Sequence, residues 1–247
     1  MTTKKTRDQL RFILVQARTD QQMKLHEITC FETSGNLGDE QVFSHDLLEK
    51  PLAVGQMDSC DGIIIGGSGD YSVLDDVPNL ASLGHFIQEA RARGVPVLGS
   101  CWGAQFVAKI FGGQVIHDPA HKEVGSIEVT KTEASRADKL FTDMPDHFWA
   151  QAGHNDRVSV LPDGAVLLAS SANCPVQAFT FPSTGLYGIQ FHPELAKEDL
   201  VLRLQYYKEN YVKNTDSVED IISGLKETSE AASLVGKWVD RIALARS

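Results

Sequence analysis

Val95-Pro96-Val97-Leu98-Gly99-Ser100-Cys101-Trp102-Gly103 decides the fold: an apolar run ends in a cysteine boxed by glycines, and Ala104 to Phe111 then has helical character. Strand, tight turn and helix in that order thrust a nucleophile out of a parallel sheet into a cleft. Gly99 and Gly103 relieve crowding around the turn. A helix N-terminus at Cys101 favours the thiolate, and its free N–H groups, that of Trp102 above all, can face a tetrahedral oxyanion. Taken alone, the same pattern also suits a buried structural cysteine, because cysteine is commonly buried.

A second strand-like run, Tyr187-Gly188-Ile189-Gln190-Phe191-His192-Pro193-Glu194, ends in a base and a carboxylate. In an extended segment residues i and i+2 point to the same side, so Glu194 can orient and polarise His192 with Pro193 holding the turn between them. Cys101, His192 and Glu194 together read as a nucleophile–base–carboxylate triad.

Working outward, Phe12-Ile13-Leu14-Val15 within 11–17 is a continuous apolar run suited to a buried parallel strand. Val42 to Leu48 is a second strand. Gly62-Ile63-Ile64-Ile65 is a third, running straight into Gly66-Gly67-Ser68-Gly69-Asp70. Helices are expected over 19–31, briefly over 52–60, over 78–93, where Leu80, Leu83, Ile87 and Ala90 recur at helical spacing, and over 103–111. This alternation predicts an α/β fold with a doubly wound, mostly parallel sheet of flavodoxin-like type. From Gln114 the pattern changes to short strands, 114–116, 126–130, 148–150, 166–169, 176–180 and 185–190, with turns such as Pro162-Asp163-Gly164. That is a small antiparallel insertion. A closing helix is expected over 196–212, then a polar break at 214–219. Apolar stripes follow at Val218, Ile221, Ile222 and Leu225, and at Leu234, Val235, Trp238, Val239 and Ile242. Residues 1–213 are thus expected to form the catalytic domain, and 214–247 a helical extension packed on it. The alternative for the stripes is a helix offered to a neighbouring protomer, as in a homo-oligomer.

The chain has 247 residues, enough for one large α/β domain, and a net charge of −10 that disfavours nucleic acid and anionic membranes as partners. Cys30, Cys60, Cys101 and Cys174 form no CxxC motif, Met1 to Asp8 has no apolar leader, and no apolar run reaches about 18 residues. A reducing, cytoplasmic location is expected. The glycine run 66–69 can bend sharply and present N–H groups. It fits neither GxGxxG nor a phosphate loop ending in Gly-Lys-Ser/Thr, so its readings are an N–H donor beside Cys101 or a plain strand-to-loop turn. No HExxH occurs, and Pro119 lies between His117 and His121, so no metal and no cofactor are expected.

The blocks Ile63–Ser68, Val97–Gln105 and Gly188–Glu194, with Gly112-Gly113 and Gly153-His154-Asn155-Asp156-Arg157-Val158, carry a resemblance over roughly residues 10–195. They are similar to the triad-type class I glutamine amidotransferases, in their GMP-synthase-like branch. The resemblance implies that Cys101 attacks the carboxamide of glutamine or another γ-glutamyl compound, with a γ-glutamyl thioester as intermediate. It implies that His192 moves the proton, that Glu194 orients it, and that the N–H groups of Gly67 and Trp102 hold the oxyanion. Gln105, one helical turn beyond Cys101, would help bind the ends of glutamine, with Ser68 and His154 near the substrate. In the synthetases the glycine pair is usually followed by proline, whereas here Ser68-Gly69-Asp70-Tyr71 follows. No synthetase domain follows residue 195, so the expectation is a free-standing γ-glutamyl amide hydrolase. A γ-glutamyl peptidase acting on glutathione-like compounds, an ammonia donor to a synthetase subunit in trans, and a non-catalytic partner protein stay open.

Overall fold

Strand β1 (Phe12–Gln16) shows how the sheet is buried on both faces in the computed structural model, which describes residues 5–208 and 217–246. Successive side chains of a strand point to opposite faces. Ile13 and Val15 enter one apolar cluster, while Phe12 and Leu14 enter another. The same division holds for β3 (Gly62–Ile65), with Ile63 and Ile65 on one face and Ile64 on the other, and for Val97 and Leu98 of β4 (Val97–Ser100). Continuous apolar runs are the consequence of two covered faces.

The first face is covered by α2 (Leu80–Ala92) through Leu83, Phe86, Ile87 and Ala90, and by α3 (Trp102–Ile110) through Phe106 and Val107. The second is covered by α1 (Gln21–Gly35) through Phe31 and by α6 (Ser229–Trp238) through Ala231, Leu234, Val235 and Trp238. Asp20 caps α1 by accepting from the Met23 N–H at 2.9 Å.

Among the described residues the main sheet has nine strands in the order β2-β1-β3-β4-β11-β10-β9-β6-β7. From β2 (Val42–Asp46) to β11 (Leu186–Ile189) the pairings are parallel. From β11 onward, β10 (Ala178–Phe181), β9 (Val166–Ser170), β6 (Glu123–Lys131) and β7 (His147–His154) pair antiparallel. The antiparallel strands therefore continue the main sheet. A separate two-stranded ribbon is formed by β5 (Gln114–His117) and β8 (Asp156–Val160). The strand β8 is not among those read from the sequence, and 54–59 is a 3₁₀ helix.

The closing helix α4 is described over Lys197–Tyr206, and the expected continuation over 209–212 and the first part of the polar break lie outside the described residues. Between α4 and α6 lies α5 (Val218–Ser223). The Trp238 ring packs on Phe12 with centroids 5.6 Å apart, and its edge lies where a side chain on Gly62 would have to go. Among the described residues no helix is long and apolar enough to cross a membrane, and all four cysteines are free thiols.

Candidate active site

The sheet places Cys101 at the C-terminal end of β4, next to the end of β11, where its N–H donates to the Ile189 carbonyl at 2.8 Å. Cys101 has φ 49° and ψ −103°, a backbone conformation that L-residues rarely hold. Such a conformation costs roughly 1–3 kcal/mol and persists only when its surroundings over-determine it. The glycines supply that determination. A Cβ on Gly99 would lie 2.7 Å from the Gly103 backbone, and one on Gly103 would lie 2.3 Å from the Ile65 carbonyl oxygen. Helix α3 thus starts hard against β3 and β4, and any side chain at either position would push the elbow out of place.

His192 follows β11 and is tied to β7, its N–H donating to the Gln151 carbonyl at 2.8 Å. Its Nδ1 hydrogen-bonds Glu194 Oε1 at 2.7 Å, and its ring interacts electrostatically with Cys101 beside it. Glu194 also accepts from Ser100 Oγ at 2.8 Å and from Arg203 Nη1 at 3.4 Å. All of these side chains are buried. Burial works against the charged imidazole, but the Glu194 carboxylate and then Cys101 outweigh it, and His192 is raised to about 9. Burial likewise works against the Glu194 carboxylate, but His192, Arg203 and Ser100 hold it down to about 2. The arrangement can therefore keep a protonated imidazole beside a sulfur nucleophile.

Behind this group lies a buried ionic chain from three segments. Arg203, on α4, reaches Glu27, on α1, at 3.9 Å, and Glu27 pairs with Arg18 at 2.8 Å. Glu27 also accepts from Gln16 Nε2 at 3.0 Å and from the Gly67 N–H at 3.0 Å. The Gly67 N–H, expected to hold an oxyanion, here donates to the Glu27 carboxylate. Gly67 is still close packed, since a Cβ there would lie 3.0 Å from His192 Cε1. The Trp102 N–H, at the first turn of α3, has no acceptor among the described residues.

In front of Cys101 opens a cleft of about 420 Å³ lined by Ser68, Tyr71, Trp102, Gln105, His117 and His154, with Asp70, Asp75 and Asp156 at its walls. Ser68 lines it, but its hydroxyl donates to the Ala17 carbonyl at 2.8 Å and accepts from the Tyr71 N–H at 3.0 Å, so it holds the loop in shape. Gln105 Nε2 donates to the Asp156 carbonyl at 2.8 Å and to Gln190 Oε1 at 3.1 Å. Gln190 Nε2 in turn lies 3.7 Å from Cys101 Sγ. His154 has both nitrogens engaged, Nδ1 with the Asp156 carbonyl at 3.1 Å and Nε2 with Glu123 Oε2 at 3.1 Å.

The structure thus brings Cys101, His192 and Glu194 together, and sets Trp102, Gln105, Ser68 and His154 around the same opening. Sequence reasoning missed Arg203, Glu27, Arg18 and Gln190. Arg203 alone sits in an apolar neighbourhood, Leu200 to Leu204, whereas Glu27 and Arg18 each have polar neighbours and carry no such signal.

Residues 40–203 match the model of the family described as glutamine amidotransferase class-I. Over 140 residues the chain is 35% identical to one of the subunits of the glutamine-hydrolyzing GMP synthase of Thermoplasma acidophilum, a match covering 57% of this chain and 66% of that protein. The corresponding protein of Thermoplasma volcanium is 31% identical over 170 residues, covering 66% of this chain and 80% of the other. Among solved structures, a glutamine amidotransferase from Thermotoga maritima superposes with a TM-score of 0.71 at 22% identity, covering 96% of this chain and 97% of that one. At that identity the likeness is one of fold.

Proposed function

Because the chain belongs to the class I glutamine amidotransferase family, we propose that it hydrolyses the side-chain amide of glutamine, or of another γ-glutamyl compound, through a thioester on Cys101. The observation that carries this reading is the strained elbow at Cys101, which opens on a cleft and has the buried His192–Glu194 pair beside it. The Cys101 sulfur attacks the amide carbon. The negative charge that develops on the carbonyl oxygen is stabilised by the Trp102 N–H and the N-terminal end of α3. His192 gives its proton to the departing nitrogen, and the carbon–nitrogen bond breaks with release of ammonia or an amine. His192 then takes a proton from water, whose oxygen attacks the thioester and releases the γ-glutamyl acid with the free thiol. Glu194 keeps the imidazole in one orientation and balances its charge.

Two finer readings concern what leaves. The Thermoplasma relatives, named as GMP synthase subunits, supply the picture of an ammonia donor working with a separate synthetase. The loop from Ser68 to Asp76, which departs from the proline-bearing pattern and lends residues to the wall of the cleft, favours testing a γ-glutamyl peptide as well. Residues 1–213 are taken as the catalytic unit and 214–247 as the extension packed on it.

The test is glutamate release from glutamine, γ-glutamyl dipeptides and glutathione by the purified chain, with and without a synthetase of the GMP synthase type. Labelling with a γ-glutamyl electrophile accompanies it. Release with modification at Cys101 is the expected result. Modification only at Cys30, Cys60 or Cys174, or no release from any γ-glutamyl compound under either condition, would overturn the reading.

A further inference from the structure

On the far side of the ionic chain, two helices bring three potential ligands to one point. His26 and Cys30 stand four residues apart on α1, on one face of that helix. Asp199 is in the first turn of α4. One atom, His26 Nε2, faces both partners, at 3.1 Å from Asp199 Oδ1 and 3.5 Å from Cys30 Sγ. The donor atoms all lie within 4.8 Å of one another.

These spacings can be compared with those an ion would require. A tetrahedral zinc with Zn–N near 2.0–2.1 Å and Zn–S near 2.3 Å separates nitrogen from sulfur by about 3.6 Å, and nitrogen from a carboxylate oxygen by about 3.3 Å. The observed edges fall within about 0.2 Å of both. Cys30 is otherwise packed among apolar side chains, and among the described residues the polar groups at its sulfur are the imidazole and the carboxylate. The other oxygen of Asp199 already accepts from the Ala196 N–H at 2.9 Å, which fixes the carboxylate and leaves Oδ1 facing the site. The side chains of His26 and Asp199 are 13% and 31% exposed, so water can reach a fourth position.

A second trio, Glu123, His154 and Cys174, has the same kinds of donor but not the same vacancy of coordination. Glu123 Oε1 accepts from Ser171 Oγ at 2.6 Å, and Oε2 accepts from Gln177 Nε2 at 2.5 Å and faces His154. All three residues are buried. An ion there would have to break a satisfied network among buried side chains.

We propose that His26 Nε2, Cys30 Sγ and Asp199 Oδ1 bind a zinc-class divalent ion that clamps α1 to α4. Binding forms the metal–sulfur bond as the thiol proton passes to solvent. The ion is structural. Asp199 lies four residues before Arg203 on α4, and His26 adjoins Glu27 on α1, so the clamp fixes the two helices whose charges meet behind Glu194. The proposal is independent of the assigned hydrolysis.

The test uses the purified full chain, stripped with a chelator and titrated with Co²⁺ as a spectroscopic probe and with Zn²⁺. Wild type should take up one equivalent with a thiolate-to-cobalt charge-transfer band. Zn²⁺ at about one-hundredfold excess over its Kd should raise Tm by about 5–10 °C. Cys30→Ser should abolish the band. The more exposed Asp199→Asn, a fold-sparing second variant, should weaken binding by more than about tenfold. Cys101→Ser and Cys174→Ser should keep the band. A band that survives in Cys30→Ser, one that vanishes in Cys101→Ser or Cys174→Ser, or no thiolate band in wild type would overturn the proposal.

Discussion

The chain holds two buried histidine–carboxylate pairs, and they are built differently. His192 gives one nitrogen to Glu194 at 2.7 Å and has Cys101 beside its ring, while its carboxylate is backed by Arg203 and Ser100. His154 gives one nitrogen to Glu123 at 3.1 Å and the other to a backbone carbonyl, while its carboxylate is backed by the neutral groups of Gln177 and Ser171. Both pairs are buried. What separates a base from a brace is whether the second nitrogen is left over, and whether a fixed positive charge stands behind the carboxylate.

The strongest way to break this distinction is to remove each imidazole in turn. His192→Asn is expected to lower kcat for a γ-glutamyl amide by about 10³–10⁴-fold, and Glu194→Gln by less, because the carboxylate orients while the imidazole carries the proton. His154→Asn should change kcat by less than about tenfold, and its cost should appear in stability. Equal losses for the two histidine variants in steady-state assays would end the comparison.

Arg203 comes next. Arg203→Met should lower kcat by about 10–100-fold and destabilise the fold by about 3–5 kcal/mol, because it removes the cation shared by two buried carboxylates, Glu194 and Glu27. Arg203→Lys, which keeps the charge but loses the guanidinium geometry, should recover part of both. Urea unfolding with kcat measured on the same preparations checks this. A rate loss that the lysine variant does not relieve at all would point to packing rather than charge.

The smallest effect is a pH dependence of stability. His192 is raised to about 9 in the folded chain. A raised histidine stabilises the fold below its unfolded value, near 6.5, and that contribution is lost as pH rises through about 9. Wild type should therefore lose on the order of 3 kcal/mol over that window. His192→Asn should lose little there, whereas His154→Asn should keep the fall. A flat wild-type curve, followed by urea titration from about pH 6 to pH 10, would show that the ion pair contributes nothing.

How much of this could be read in the chain follows the range of the interactions. The elbow is local: strand, Gly99, Cys101, Gly103 and helix lie within a few residues, and each glycine has a steric reason that only backbone contact explains. His192 and Glu194 are likewise two residues apart. The strands β1, β3 and β4 announce themselves because both faces are covered. The strand β8 escaped because it follows β7 after Asn155 alone, with no glycine or proline between them. The chain Arg18–Glu27–Arg203 was not legible, since its members come from distant segments and each looks in sequence like a surface charge. For the same reason the commitment of the Gly67 N–H to Glu27 could not be foreseen, and neither could the site at His26 and Cys30, whose third member is on another helix.

The packing of Trp238 on Phe12 has a consequence for the order in which the chain can fold. Phe12 and Leu14 sit in β1, yet one of their covers, the α6 face with Leu234, Val235 and Trp238, is more than two hundred residues further along the chain. At a ribosomal pace of about 5–20 residues per second, that cover arrives roughly 10–45 s later. In the interval the parallel strands can pair, and α2 and α3 can seal the opposite face around the elbow. One apolar face of the nascent sheet, centred on Phe12, Ile64 and Leu98, stays open to whatever it meets. A chaperone with an apolar groove, pulled down on stalled ribosomes, should therefore dwell on chains stopped before α6 and release those that have passed it.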